Sequence, residues 1–351
     1  MFRHAIRNPQ DDGTVPLERN RTAPEEIAIV YVLELGGQDD EFAACEAASA
    51  ATEVELVAPG LARAATITER VRNLAYTHRA NELVGTTDAD VASARALLSA
   101  APIDREGTVA VRARTVRDTE DISTQEVERE LGQILVDRGF AVDLDGPDHE
   151  LRATFSDDSC VLGWTAVESV RDYGTRKPTD RPFFQPGSMH PLLARALVNI
   201  VGAKEETTVL DPMCGTGGTL IEAALVGARP LGADAQWKMA RGAAENLDHY
   251  APDADAATVR GDATHLPFAD DSIDGVVFDA PYGRQSKIAN LDLDDLVAGA
   301  LAEAKRVASR TVVVGDRSWA DEARTAGWTV EGEFERRVHR SLTRYIVVLS
   351  G

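Results

Sequence analysis

The sequence predicts an α/β protein: an open sheet flanked by helices in the carboxy-terminal half, preceded by a smaller α+β region. Three observations carry that expectation. Ile273-Asp-Gly-Val-Val-Phe-Asp-Ala-Pro-Tyr-Gly283 is an apolar, β-branched run that stops on an acid and then on Pro-Tyr-Gly, residues that cannot continue a strand. Thr207-Thr-Val-Leu-Asp-Pro-Met-Cys-Gly-Thr-Gly-Gly218 reads as a strand and a glycine turn, followed by a helical run from Thr219 to Val226. Residues 27–165 instead alternate short strand-like and helical segments, the pattern of a compact α+β unit.

Length and composition bound the reading. The 351 residues suggest two or three domains, and a hydrophobic fraction of 44% supplies material for real cores. The formal net charge is −21, from 37 basic and 58 acidic residues. With few aromatics, more Arg than Lys, and abundant Asp, Glu and Ala, the composition resembles that of extreme-halophile proteins. Such a chain repels nucleic acid unless it carries local basic patches or works in high salt. Cys45, Cys160 and Cys214 form no Cys-x-x-Cys pair, so they read as reduced, mostly buried thiols, with no metal site. No apolar run reaches membrane-span length and no signal-peptide core is present, so a soluble, cytoplasmic protein is expected, with no membrane and no obligatory protein partner.

In chain order, residues 1–24 read as a flexible leader and 25–165 as the α+β region. Within it, Ile27 to Leu35 is an expected strand closed by Gly36-Gly37, Glu41 to Thr52 a helix, Glu53 to Val57 a strand and Ile67 to Glu82 a helix. Val91 to Ser99 follows as a helix, Val109 to Val116 as a strand, and Ser123 to Arg138 as a helix opened by a Ser123/Glu126 capping box. Strands over Leu151 to Phe155 and Cys160 to Val167 end the region. Arg112 and Arg114 share a strand face, and Arg63, Arg70, Arg72, His78 and Arg79 cluster earlier. Two readings of this basic excess stay open: a phosphate-binding surface, or solvated faces with internal ion pairs.

Residues 166–182 read as a linker and 183–351 as the second domain. Phe183-Phe-Gln-Pro-Gly-Ser-Met-His-Pro191 leads into a helix from Leu192 to Val201, with Pro191 at its first position. Pro230 to Ala233 is an expected strand ending on Asp234, and Ala256 to Arg260 another leading to Gly261-Asp262-Ala263. Beyond Gly283 come a helix from Leu291 to Val307, a strand from Thr311 to Val314, a helix from Ala320 to Ala326, and an antiparallel pair over Trp328 to Phe334 and Leu342 to Leu349. The chemistry falls at strand carboxyl ends, where open α/β sheets bind ligands. Asp279 and the Ala280 carbonyl offer two acceptors beside the ring of Tyr282, an arrangement suited to an exocyclic amine, whose two hydrogens they can hold while the ring stacks on the base.

Asp279-Ala280-Pro281-Tyr282 resembles the Asp-Pro-Pro-Tyr motif of the amino-methyltransferases, with Ala280 departing from the usual first proline. Asp-Pro-Met-Cys-Gly-Thr-Gly-Gly is similar to their S-adenosylmethionine motif, which makes Asp211, Cys214, Gly215 and Gly217 candidates for cofactor binding. The resemblance gives Asp234 the ribose hydroxyls, Asp262 the adenine amine and Ala263 a backbone NH to the base. It folds the 183–191 loop over the methionine end, so Gln185 and Ser188, with Pro186 and Met189, join the candidates. The Pro-Gly-Ser-Met-His-Pro loop and His339-Arg-Ser-Leu-Thr-Arg344 most resemble the archaeal tRNA guanosine-10 N2-methyltransferases. That resemblance implies a Rossmann-like, seven-stranded methyltransferase domain preceded by a ferredoxin-like plus THUMP-type RNA-binding region, acting on tRNA with one or two methyl transfers. His339, Arg340 and Arg344 then either touch RNA or cap a strand end. The rivals are an amino-methyltransferase of another RNA guanine or of DNA adenine or cytosine, a nicotinamide dehydrogenase, and a non-catalytic RNA-binding protein. The dehydrogenase lacks its pyrophosphate glycine pattern, and a DNA enzyme lacks a base-reading domain in place of 27–165.

Overall fold

The computed structural model describes residues 29–116, 122–282, 292–340 and 342–351. The leader expected over 1–24 lies outside them, as do Ile27 and Gly283.

The amino-terminal region is built on one eight-stranded sheet. Its strands run in the order Glu55–Ala58, Leu61–Ala64, Tyr31–Leu35, Thr77–Asp88, Ser159–Glu168, His149–Ser156, Thr108–Thr115 and Ala141–Val142. Helices Val91–Ala100 and Thr124–Asp137 pack on this sheet. The second buries Val127, Leu131 and Leu135, spaced four apart on one stripe, and its cap Ser123 accepts from the Glu126 amide at 3.3 Å.

Two expected helices are corrected. The first stops at Ala47, and Ala51–Thr52 leaves it to pair with Thr66–Ile67. The run from Ile67 to Glu82 is a 3₁₀ turn, Glu69–Asn73, followed by the twelve-residue strand Thr77–Asp88. That strand is paired along both edges, to Tyr31–Leu35 and to Ser159–Glu168. Ladder partners distant in sequence override the helix-forming local composition of Arg-Ala-Asn-Glu-Leu.

Of residues 166–182, the first three finish the strand Ser159–Glu168 and the rest form a packed strap. Tyr173 and Arg176 are buried, and Arg176 makes a double contact with Glu222 at 2.6 and 3.1 Å. The two sheets also share one core. Phe42, Leu74 and Tyr76 belong to the same apolar cluster as Leu193, Leu197, Val312 and Ile346. Phe42 meets both Tyr76 and Phe334 edge-on, at centroid separations of 5.4 and 5.3 Å. Beside them the buried Glu46 accepts from the Ala75 and Tyr76 amides and from Asn199 Nδ2, each at 2.7 Å.

The carboxy-terminal sheet has seven strands in the order Ala257–Arg260, Arg229–Asp234, Thr208–Asp211, Gly275–Asp279, Arg310–Gly315, Leu342–Ser350 and Thr329–His339. The first five are parallel, and Leu342–Ser350 is antiparallel to both neighbours. Alternate residues face opposite cores, Val277, Val312 and Val314 toward one and Val276, Phe278 and Val313 toward the other. Helices Pro191–Ile200 and Gly218–Leu225 cover the first face, Leu293–Val307 and Ala320–Thr325 the second. Helix Trp237–Tyr250, absent from the sequence expectations, flanks Arg229–Asp234 and Ala257–Arg260. The strand order reverses between Thr208–Asp211 and Gly275–Asp279, so the crevice beyond their carboxyl ends is the ligand position of such sheets.

Candidate active site

The glycine turn stands at that reversal. Asp211 is buried and turned onto its own loop: it accepts from the Met213 amide at 3.0 Å and from the Thr219 hydroxyl. Burial pushes its carboxyl up to about 7, with Asp279 and Asp234 adding repulsion. Gly215 and Gly217 have φ of +51° and +75°, a region that favours glycine. Their roles differ. Nothing stands within 4 Å of a Cβ built on Gly215, whereas one on Gly217 meets Ala243 at 3.0 Å, so Gly217 lets helix Trp237–Tyr250 approach. The Cys214 side chain packs among Leu220, Ile221 and Ala243, leaving its backbone as the part that shapes the turn.

A cleft brings together Gln185, Ser188, Asp211, Cys214, Gly215 and Asp279, residues drawn from three separate parts of the chain. Thr216, Thr219, Met213 and Met239 line it too, missed in the sequence because a hydroxyl or thioether carries no chemical signal of its own, and Gly187 joins them from the 183–191 loop. The Ser188 hydroxyl donates to the Gln185 carbonyl at 2.7 Å and meets the Thr216 hydroxyl at 3.0 Å, joining the 183–191 loop to the glycine turn. Among the described residues, this lining does not extend to Asp234, Asp262, Ala263, Pro281 or Tyr282. Asp234 accepts from the Gly215 amide at 3.0 Å and the Gln236 amide at 2.8 Å, and burial raises its carboxyl. Asp262 is more open. It accepts from the Thr264 amide at 2.9 Å and hydroxyl at 2.8 Å, bonds that hold its carboxyl below the usual range, while Ala263 beside it is buried.

Asp279 ends its strand against the cleft. The Tyr282 hydroxyl donates to its Oδ1, and Arg344 Nη2 stands 3.5 Å from its Oδ2. Burial raises the Asp279 carboxyl, opposed by the Arg344 charge and the Tyr282 hydrogen bond. Ala280 is buried and its amide donates to the Val314 carbonyl at 2.8 Å, which fixes the peptide that follows the acid. Arg344 joins this group, a contact the sequence did not indicate. Set beside RNA candidates, it is 3% exposed, with Nε donating to the Tyr282 hydroxyl at 2.9 Å and Nη2 to the Gly187 carbonyl at 3.0 Å.

Most of the other candidate arginines already have internal partners. Arg63 pairs with Glu55 at 3.1 Å, Arg79 with Glu168 at 2.6 Å, and Arg114 with the buried Glu34 at 3.0 Å. Arg112 donates to the Leu144 carbonyl at 2.6 Å, and Arg70 to the carbonyls of Ser49 and Ala203, the latter at 3.0 Å. Arg72 and Arg340 are exposed. The ion-paired reading therefore describes Arg63, Arg79 and Arg114, and the open cations lie elsewhere in the set.

Comparison with known proteins places these features in a family. The model of the RMKL-like, methyltransferase domain matches residues 178–346, and that of the THUMP domain residues 91–164. A tRNA (guanine(10)-N2)-dimethyltransferase of Methanothermobacter thermautotrophicus is 36% identical over 289 residues, covering 79% of this chain and 83% of its own. One of Pyrococcus abyssi is 32% identical over 250 residues, covering 70% and 74%. The crystal structure of TrmN from Thermus thermophilus has the same overall fold, with a TM-score of 0.50 at 22% identity over 92% of this chain and 99% of that one. Among the described residues, no helix is long and apolar enough to cross a membrane.

Proposed function

Because the chain belongs to the tRNA (guanine(10)-N2)-dimethyltransferase family, we propose that it transfers methyl groups from S-adenosylmethionine to the exocyclic N2 of guanosine 10 in tRNA, in two successive steps, in the cytoplasm. The observation that carries this is the meeting of Asp211 and Asp279 in one cleft at the strand-order reversal. The residues suit the cofactor: the turn is open at Gly215, and the buried Arg181 behind it has Nε and Nη2 without a hydrogen-bond partner, as expected of a cation awaiting an anion. Gly215, Asp211, Asp234, Asp262, Ala263, Gln185 and Ser188 would hold it. When bound, it supplies an electrophilic methyl on a sulfonium.

The rest is work for the chain. The target base leaves its stack; in the first transfer its two N2 hydrogens point at Asp279 Oδ and the Ala280 carbonyl, and in the second its one remaining hydrogen points at Asp279. An ionised carboxylate has about four lone-pair sites, so Asp279 can accept from the amine while still held by Tyr282 and Arg344. Arg344 favours the charged form that burial opposes, and that charge stabilises the positive character gained by N2. Pro281 stiffens the loop, and the Tyr282 ring supports the base plane. Most of the acceleration comes from holding two reactants in line. The THUMP-containing region selects the tRNA, with Arg72 in that region and Arg340 in the methyltransferase domain as exposed cations for phosphates.

Nucleoside mass spectrometry after incubating protein, S-adenosylmethionine and unmodified tRNA tests the reading. N2-methyl- and N2,N2-dimethylguanosine mapped to position 10 support it. Methyl groups on adenine or cytosine, or no product, would remove it.

A further inference from the structure

Arg181 has no ion-pair partner among the described residues. Its side chain is buried, 5% exposed, and its Nε and Nη2 have no hydrogen-bond partner among the described residues. The remaining nitrogen, Nη1, reaches only the neutral Thr216 hydroxyl, at 3.4 Å. The acid whose charge acts on it is already engaged. Glu222 takes two bonds from Arg176, at 2.6 and 3.1 Å, and one contact from Arg195 at 2.9 Å. Asp172 is likewise held by Arg176, at 2.7 Å. Arginine does not discharge by losing a proton at any ordinary pH, so the guanidinium stays charged in a place where burial opposes the charge.

The position of this guanidinium says what would answer it. Nη1 lies 3.0 Å from where a Cβ on Gly218 would stand, against the first turn of the eight-residue helix Gly218–Leu225. Amides there are unpaired by the helix and the helix dipole is positive, so the cation and the helix end reinforce each other. Thr216, Gly218 and Thr219 line the cleft while Arg181 itself does not, and the Thr216 hydroxyl is shared with Ser188 at 3.0 Å. An anion there would meet a hydroxyl and backbone NH groups in front and a guanidinium behind.

We propose that Arg181, through Thr216 and the amino terminus of helix Gly218–Leu225, forms the seat for the α-carboxylate of S-adenosylmethionine, and so acts as a positioning residue for the methionine end. This rests on the cofactor reading above. It assigns Arg181 to the amino-acid tail and not to the nucleoside, and that division is what an experiment can read.

The test measures binding by calorimetry to the full chain, using S-adenosylhomocysteine, which has the α-carboxylate, and 5′-methylthioadenosine, which lacks the amino-acid tail. Arg181→Met should weaken S-adenosylhomocysteine by roughly 10–100-fold, through loss of the charge that backs the carboxylate seat, and leave methylthioadenosine within about threefold. Arg181→Lys keeps the charge and should fall between the two, and it serves as the readable variant if the methionine chain does not fold. An equal loss for both ligands would make Arg181 merely structural, and an unchanged S-adenosylhomocysteine affinity would remove it from the site. Wild-type protein that binds neither ligand would overturn the cofactor reading itself, and this assignment with it.

Discussion

Arg344 Nε donates to the Tyr282 hydroxyl at 2.9 Å, and the same hydroxyl donates to Asp279. A residue of the last antiparallel pair thus reaches across the sheet to the end of the strand Gly275–Asp279, and through the Gly187 carbonyl at 3.0 Å it also holds the loop before helix Pro191–Ile200. Arg344→Met should remove the charge that opposes the burial effect on Asp279, so its carboxyl rises further. Since the proposed acceptor is the ionised form, the acid limb of the single-turnover rate should move to higher pH, with the rate at neutral pH falling roughly 10–100-fold. A pH profile superimposable on wild type would remove Arg344 from this role.

Asp279→Asn keeps size and one acceptor but loses the negative charge. That charge matters more as N2 becomes cationic than in the resting complex, so turnover should suffer and binding should not. A drop of about two orders of magnitude or more in single-turnover rate is expected, with tRNA and cofactor affinities nearly unchanged. Ala280→Pro is the matching control. It restores the commoner motif but removes the amide that donates to the Val314 carbonyl, so activity should persist with some loss of stability. Parent-rate methylation by Asp279→Asn under saturating substrates would falsify the catalytic assignment.

What was legible in the sequence follows from range. The strand ends at Asp211, Asp234 and Asp279 are announced by an apolar run meeting an acid and a turn, all within about a dozen residues, and the structure has strands ending there. Strand Thr77–Asp88 was hidden because both of its ladder partners lie far off in sequence, around Tyr31–Leu35 and Ser159–Glu168. The contact of Arg344 with the site was hidden for the same reason: its partner Tyr282 is 62 residues away, and an arginine beside a strand looks alike whether it faces solvent or a buried acid. Arg181 gave no sign in a stretch read as linker, since burial without a partner is visible only in three dimensions.

Asp211 makes a pH prediction. Its usual value of 3.8 is pushed up to about 7 in the fold, so the folded state prefers the protonated acid. The stability linked to this group is complete below 3.8 and lost as pH rises through about 7. Asp211→Asn mimics the neutral form, and its melting temperature should be flatter than that of wild type across that window. A cationic cofactor favours the ionised acid, so wild-type binding near neutral pH should release a proton. Calorimetry in buffers of different ionisation enthalpy reads that proton directly, and identical heats in both buffers would contradict the titration.

Asp234 is tied to the glycine turn through the Gly215 amide as well as being the ribose candidate. Asp234→Ala should therefore weaken S-adenosylhomocysteine by about 1–3 kcal/mol, the scale for losing a buried acceptor. Asp234→Asn, which keeps one acceptor for the turn, should lose less. Equal affinity in wild type and both variants, measured by calorimetry, would take Asp234 out of the site.

The shared core makes the final prediction. Phe42 is fully buried between Tyr76 and Phe334, so it belongs to the amino-terminal region and the carboxy-terminal sheet at once. Its removal opens a cavity that neither side can close alone, because Glu46 and Asn199 hold the neighbouring backbone in place. Phe42→Ala should cost about 3–5 kcal/mol. The loss should appear in both halves, with tryptophan fluorescence from Trp164, in the first sheet, and from Trp319 and Trp328, in the core of the second, moving to lower urea together once the exposed Trp237 is replaced by Phe. Single-tryptophan variants separate the three signals. If the Trp164 signal alone shifts while those of Trp319 and Trp328 keep the wild-type midpoint, the two halves unfold independently and the continuous core does not couple them.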